Sequence, residues 1–245
     1  MAAGRLNRYA HFAPLPFLPM EISARLIPLV LFSCLFGCSG PRLVSFPTED
    51  KGLVYATLQG SGDHAVVLAH GARFDKESWS KQAKTLSANG FKVLALDFRG
   101  YGNSRGGEKA GARPNLYLDV LAAVDYLHSN GAQRVSLIGG SMGGGAVAQA
   151  AAEAMIGDID RIILLAGTPI ANPEKMSGHK LFIVSRGDAR GGGILRLPGI
   201  RDQYERATSP KELIILEGSA HAQLIFDSDQ SERLMEEIIR FLSLD

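Results

Sequence analysis

One serine in this chain stands where a nucleophile could work. Ser141 lies in Leu137-Ile138-Gly139-Gly140-Ser141-Met142-Gly143-Gly144-Gly145-Ala146, where an apolar, strand-like run stops at glycines. A small-residue helical run then continues to Ala154. The spacing Gly139-x-Ser141-x-Gly143 reads as a strand–turn–helix elbow, so sharp that the serine's neighbours must be tiny. A serine so placed sits at the N-terminus of a helix, where backbone N–H groups stabilise developing negative charge. A serine hydroxyl is a poor nucleophile until a base takes its proton. The chemistry therefore needs a histidine, and a carboxylate to orient it, brought to the same place by the fold.

The elements that must do this are legible as alternating patterns. Arg42 to Thr48 and Gly52 to Gln59 alternate apolar and polar residues around the turn Glu49-Asp50-Lys51-Gly52, and predict an antiparallel opening pair. Ala65 to Ala69 is continuously apolar, as a strand buried on both faces should be. Phe91 to Leu96, Arg134 to Ile138, Arg161 to Ala166, Lys180 to Val184 and Glu212 to Leu216 repeat that pattern. Helical patterns fall between and after them, over Lys76 to Ala88, Asn115 to Ser129, Met142 to Met155, Ile200 to Ala207 and Asp227 to Leu244. Asn89-Gly90 and Asn130-Gly131 supply helix-ending signals. Strands alternating with helices predict an α/β domain, a mostly parallel sheet of about eight strands covered on both faces.

This order, with Ser141 after the third strand of the parallel run, resembles the α/β-hydrolase fold over about residues 42–244. The resemblance implies nucleophile, acid and histidine in that chain order. Candidates occur at the implied places. Lys180 to Val184 runs into Ser185-Arg186-Gly187-Asp188, similar to the family's G-x-x-D with serine in place of glycine. The strand Leu213 to Leu216 is followed by Gly218-Ser219-Ala220-His221, similar to its G-x-x-H. His221 has an intrinsic pKa suited to proton transfer near neutrality, and a buried Asp188 would fix its tautomer. Asp158 and Asp160 precede a strand rather than follow it, and Glu217 lies at a strand end, so each is a weaker acid candidate.

Two further segments resemble family motifs. Ala69-His70-Gly71-Ala72-Arg73 stands where the family has a His-Gly loop, which implies an oxyanion hole from the backbone N–H groups of Ala72 and Met142, with His70 organising the loop. Asp97-Phe98-Arg99-Gly100-Tyr101-Gly102-Asn103-Ser104 resembles D-x-R-G-x-G-x-S and reads as structural, Asp97 and Arg99 tying loops together. Epoxide- and halide-cleaving relatives carry aspartate at the elbow, so Ser141 excludes that chemistry. Neither a dinucleotide fingerprint nor a P-loop is present. No Cys, His or carboxylate cluster has zinc spacing, so no metal or cofactor is implied.

The first residues follow another logic. Leu26 to Gly37 is apolar, preceded by Arg25 and closed by Cys38-Ser39-Gly40, the layout of a secretory signal. Leu35-Phe36-Gly37-Cys38 resembles a bacterial lipobox, although Phe36 is bulkier than the usual small residue; Leu31-Phe32-Ser33-Cys34 is a weaker candidate. The expectation is a signal over residues 1–37 and one domain over 38–245, lipid-anchored through Cys38 at the cell envelope, a soluble exported form being the alternative. A complete signal already begins at Met20, which leaves residues 1–19 open to being an upstream start-site extension. Net charge is +1, and would be −1 without residues 1–37; with no basic run, nothing points to nucleic acid.

These readings converge on a serine hydrolase cleaving carboxylic esters. Thioesters, small amides, or a non-catalytic binding role on the same scaffold are the alternatives. Gly167 to His179 is too short for a helical lid, so the site should be open and shallow. Trp79, Tyr101, Met142 and Leu224 are candidates to line it, and Gly191-Gly192-Gly193 should form a mobile loop beside it.

Overall fold

A computed structural model of the chain describes residues 40–107 and 115–244. The signal-like segment, with Cys34 and Cys38, lies outside the described residues.

Among the described residues, eight strands form one sheet: β1 (Arg42–Pro47), β2 (Leu53–Gln59), β3 (His64–Ala69), β4 (Lys92–Leu96), β5 (Arg134–Gly140), β6 (Arg161–Leu165), β7 (His179–Ser185) and, after a two-residue pair β8 (Ala189–Arg190) and β9 (Ile194–Leu195), β10 (Lys211–Leu216). Their order is β1-β2-β4-β3-β5-β6-β7-β10. β1 and β2 are antiparallel to each other, and β2 to β4; every pair from β4 to β10 is parallel. β3 is buried at every residue, as its unbroken apolar run requires. β2 alternates half-buried and buried residues, and its polar positions face away from the core.

Among the described residues, five helices accompany the sheet: α1 (Ser80–Ala88), α2 (Leu116–Ser129), α3 (Met142–Glu153), α4 (Leu197–Arg206) and α5 (Ser231–Leu242). The path from β3 through α1 to β4 runs one way along the sheet, and that from β4 through α2 to β5 runs the other. Right-handed crossovers therefore put α1 and α2 on opposite faces. The chain leaves β3 and β5 toward opposite faces, which opens a crevice beyond their carboxyl ends. Ala69 pairs with Gly139 at that end, so the loop after β3 and the residue after β5 emerge side by side.

Element boundaries differ little from the sequence expectation. The helix expected from Lys76 opens with a 3-10 turn, Lys76–Trp79. The one expected from Asp227 begins at Ser231, because the chain after His221 first makes a 3-10 turn, Ala222–Asp227. The connection from β6 to β7 holds only the 3-10 turn Pro173–Lys175, so no cap domain is inserted there. No helix among the described residues is long and apolar enough to cross a membrane.

Candidate active site

Ser141 follows β5 directly and has φ 50° and ψ −109°, a backbone conformation rarely adopted by a residue with a side chain. The neighbours show what sustains it. A β-carbon on Gly143 would lie 2.3 Å from the carbonyl oxygen of Ala69, and one on Gly139 would lie 2.4 Å from that of Gly143. Only glycine permits so close an approach. The elbow is also pinned by hydrogen bonds: Ser141 N–H donates to Leu165 O at 2.9 Å, and Ser141 O accepts Gly145 N–H at 3.1 Å and Thr168 N–H at 3.0 Å.

His221 arrives from the loop after β10 and Asp188 from the loop after β7. His221 Nε2 lies 2.8 Å from Ser141 Oγ, and His221 Nδ1 lies 2.7 Å from Asp188 Oδ2. The three side chains thus form one hydrogen-bonded line across the carboxyl ends of three strands. A carboxylate cannot donate, so Nδ1 carries the proton and Nε2 is left to accept from the serine hydroxyl. Asp188 is fully buried, while the His221 side chain is 28% exposed, so the imidazole can meet a ligand from one side.

The two loops are stitched together. Gly187 N–H donates to Gly218 O at 2.8 Å, and the Ser185 hydroxyl donates to Ala220 O at 2.7 Å. Ser185, the residue that departs from the family's glycine, therefore fixes the carbonyl next to His221. The backbone N–H of Arg196 donates to Asp188 O at 2.9 Å, and Arg196 Nε stands 3.3 Å from Asp188 Oδ1, an ion contact out of line for a hydrogen bond. Of the weaker acid candidates, Glu217 pairs with Arg186 at 3.0 Å and Asp160 with Arg161.

Ala72 lies beside this line, in the loop after β3, and Met142 opens α3. Among the described residues, neither backbone N–H meets a protein acceptor. The Ala72 loop is held from behind. His70 is fully buried; its Nδ1 bonds Gly71 O at 2.9 Å and its Nε2 accepts Phe98 N–H at 3.2 Å. Burial pushes the His70 pKa down, which favours the neutral imidazole that this donor–acceptor pair needs. The Tyr101 hydroxyl donates to Ala72 O at 2.9 Å, its ring edge-on to His70. Gln223 spans two loops: its Oε1 accepts Gly71 N–H at 2.6 Å and its Nε2 donates to Ser78 Oγ at 2.9 Å.

A pocket of about 610 Å³ opens over Ser141 and His221, lined also by Ala72, Phe74, Arg190 and Leu224. Of the four expected lining residues, only Leu224 is among those that line it. Trp79 is 1% exposed and packs edge-on to Phe226 in the core, where a large apolar ring contributes most. Tyr101 serves as the tether just described, and Met142 lies beside its hydroxyl. Gly191 to Gly193 form the tight turn joining β8 to β9, and Gly191 borders the pocket. Asp97 and Arg99 do tie loops, through separate partners: Asp97 holds Lys76, while Arg99 holds both Asp50 and Asp119. Among the described residues, no group of three or more His, Cys, Asp or Glu is placed to hold a metal ion.

Tyr101, expected to line the pocket, instead tethers the Ala72 loop, and Gln223 and Arg196 carry no motif of their own. Gln223 alone had a usable signal, its place two residues beyond His221.

Comparison with known proteins places these features in a wider set. Residues 66–232 match the model of a family described as Alpha/beta hydrolase family. The chain is 38% identical over 86 residues to Serine hydrolase BPHL of Homo sapiens, a match covering 35% of this chain and 30% of that protein. It is 32% identical over 104 residues to a non-heme chloroperoxidase of Streptomyces lividans, covering 42% and 37% respectively. The matched segment thus spans about a third of the length of these curated relatives. Among solved structures, an esterase of Pyrococcus furiosus superposes with a TM-score of 0.67 at 21% identity, covering 82% of this chain and 92% of that one. At that identity the likeness speaks for the fold.

Proposed function

The chain belongs to the alpha/beta hydrolase family, and from that premise we propose that it is a serine hydrolase cleaving carboxylic esters through an acyl-enzyme. In this reading Ser141 Oγ attacks the ester carbonyl carbon while its proton passes to His221 Nε2. The carbonyl oxygen becomes an oxyanion facing the N–H groups of Ala72 and Met142, each contributing about 3–4 kcal/mol when aligned. Collapse breaks the bond to the alkoxy group, which leaves with the proton from His221. Water then attacks the acyl-enzyme, giving its proton to His221, which returns it to Ser141 as the acid departs. Asp188 holds the imidazole in its tautomer and stabilises the imidazolium formed in each half-reaction.

The observation that carries the reading is the continuous line from Asp188 through His221 to Ser141, at 2.7 and 2.8 Å. Turnover of short-chain 4-nitrophenyl esters, with thioester and anilide counterparts in the same panel, tests it. Ester hydrolysis that disappears in Ser141→Ala supports the reading. Equal rates in parent and variant, or binding without turnover, would contradict it.

We also propose export and lipid attachment at Cys38, on the signal-like pattern before it. Metabolic labelling with a fatty-acid probe should mark the parent and not Cys38→Ser. Label retained in that variant but lost in Cys34→Ser would move the attachment to Cys34.

A further inference from the structure

The pocket over Ser141 carries a charge pattern that ester cleavage alone does not need. Arg73, Arg190 and Arg196 line it, and no aspartate or glutamate does. Arg73 comes from the loop after β3 and Arg190 from β8, so two separate segments place guanidinium groups about one opening. Arg196 is engaged with Asp188. The side chains of Arg73 and Arg190 make no ion pair or hydrogen bond among the described residues, the pairing of Arg190 with Ile194 being made by the backbone. Arg99, Arg186, Arg206 and Arg240 are tied to carboxylates, while Arg201 on α4 is as unpartnered as Arg73 and Arg190; what sets these two apart is their place on the wall of the pocket over Ser141. Guanidinium is planar, permanently charged and shaped for two-point contact with an anion.

We propose that the preferred substrate is an ester bearing a carboxylate, which Arg73 and Arg190 hold while the ester carbonyl lies at Ser141. This rests on the hydrolase reading and deepens it by naming a substrate class. The pocket wall also contains Phe74 and Leu224, so a short apolar spacer between ester and carboxylate suits it. One charge-assisted contact typically changes affinity by about tenfold to a hundredfold.

The test compares two pairs of esters, each pair differing only in charge. Mono-4-nitrophenyl adipate and its methyl-capped counterpart place the carboxylate in the acyl half. The butyrate esters of 4-hydroxybenzoate and of methyl 4-hydroxybenzoate place it in the alcohol half. The expected result is a kcat/KM about tenfold or more higher for the charged member of at least one pair. That ratio should fall about tenfold in Arg73→Gln/Arg190→Gln, whose melting temperature and labelling by a fluorophosphonate show it folded. It should also weaken at high salt. Arg201→Gln, outside the pocket, should keep the parent ratio. A neutral preference in both pairs, or a charged preference unmoved in the double variant, overturns the proposal. No turnover of any of the four esters would remove the hydrolase reading and this proposal with it.

Discussion

The side-chain oxygen of Gln223 accepts the backbone N–H of Gly71 at 2.6 Å, tying the turn just past His221 to the loop that presents Ala72. The same amide reaches Ser78, so one side chain sets the relative position of the imidazole and the proposed oxyanion donor. Gln223→Met keeps the bulk and removes both contacts. A fall of about tenfold in kcat with KM little changed is expected, since the donor would be misplaced at the oxyanion and not at the ground-state ester. Steady-state kinetics on a neutral ester separate this from a general loss of folded protein.

Asp188→Asn should preserve the fold and lower kcat by about 10^3–10^4-fold, because an amide offers Nδ1 either a donor or a weaker acceptor and no longer fixes the tautomer. Combined with Ser141→Ala, it should cost little beyond the serine change alone, as expected of groups that act as a unit. The double-variant rate is the measurement that checks this.

Gly143→Ala should be severely destabilising. The new methyl group would stand 2.3 Å from Ala69 O and 2.6 Å from His70 O, both backbone atoms with no freedom to yield. A loss of several kcal/mol, read by denaturant unfolding, or failure to accumulate folded protein is expected. Gly191→Ala, where a β-carbon meets nothing within 4 Å, is the control.

Acid sensitivity should trace in part to His64, at the start of β3. Burial holds its pKa down at about 4, while Ser136 Oγ lies 2.8 Å from Nε2. Between about 6.5 and 4 the unfolded chain takes up a proton that the folded chain refuses, so stability falls as pH drops through that window, by up to about 3 kcal/mol. His64→Gln should flatten the pH dependence of the melting temperature between pH 7 and 4. Burial depresses His70 in the same sense, so the slope should shrink rather than vanish.

What was legible in the sequence was whatever the backbone writes locally. Ser141 could be located because a strand end, a turn and a helix start each impose composition within a few residues. Asp188 and His221 could be located because the resemblance to the α/β-hydrolase fold implies an acid and a histidine after particular strands, and the apolar runs mark where those strands end. The tethers were not legible, because their partners are distant in the chain: Gln223 meets Gly71 152 positions away, and Tyr101 meets Ala72 29 away. Trp79 was misread for a related reason. Aromatic type marks burial but not whether the burying surface is core or pocket, and only packing against Phe226 decides it. Nothing local in the sequence marks Arg73, Arg190 and Arg196 as neighbours, because only folding sets them around one opening.

The most direct test is to treat the folded protein with a fluorophosphonate and weigh it intact, then locate the adduct by peptide mass spectrometry. A single adduct on Ser141, absent from Ser141→Ala and much slowed in His221→Ala, is the predicted result. No adduct on the folded parent, or one on another residue at an equal rate in Ser141→Ala, would contradict the account.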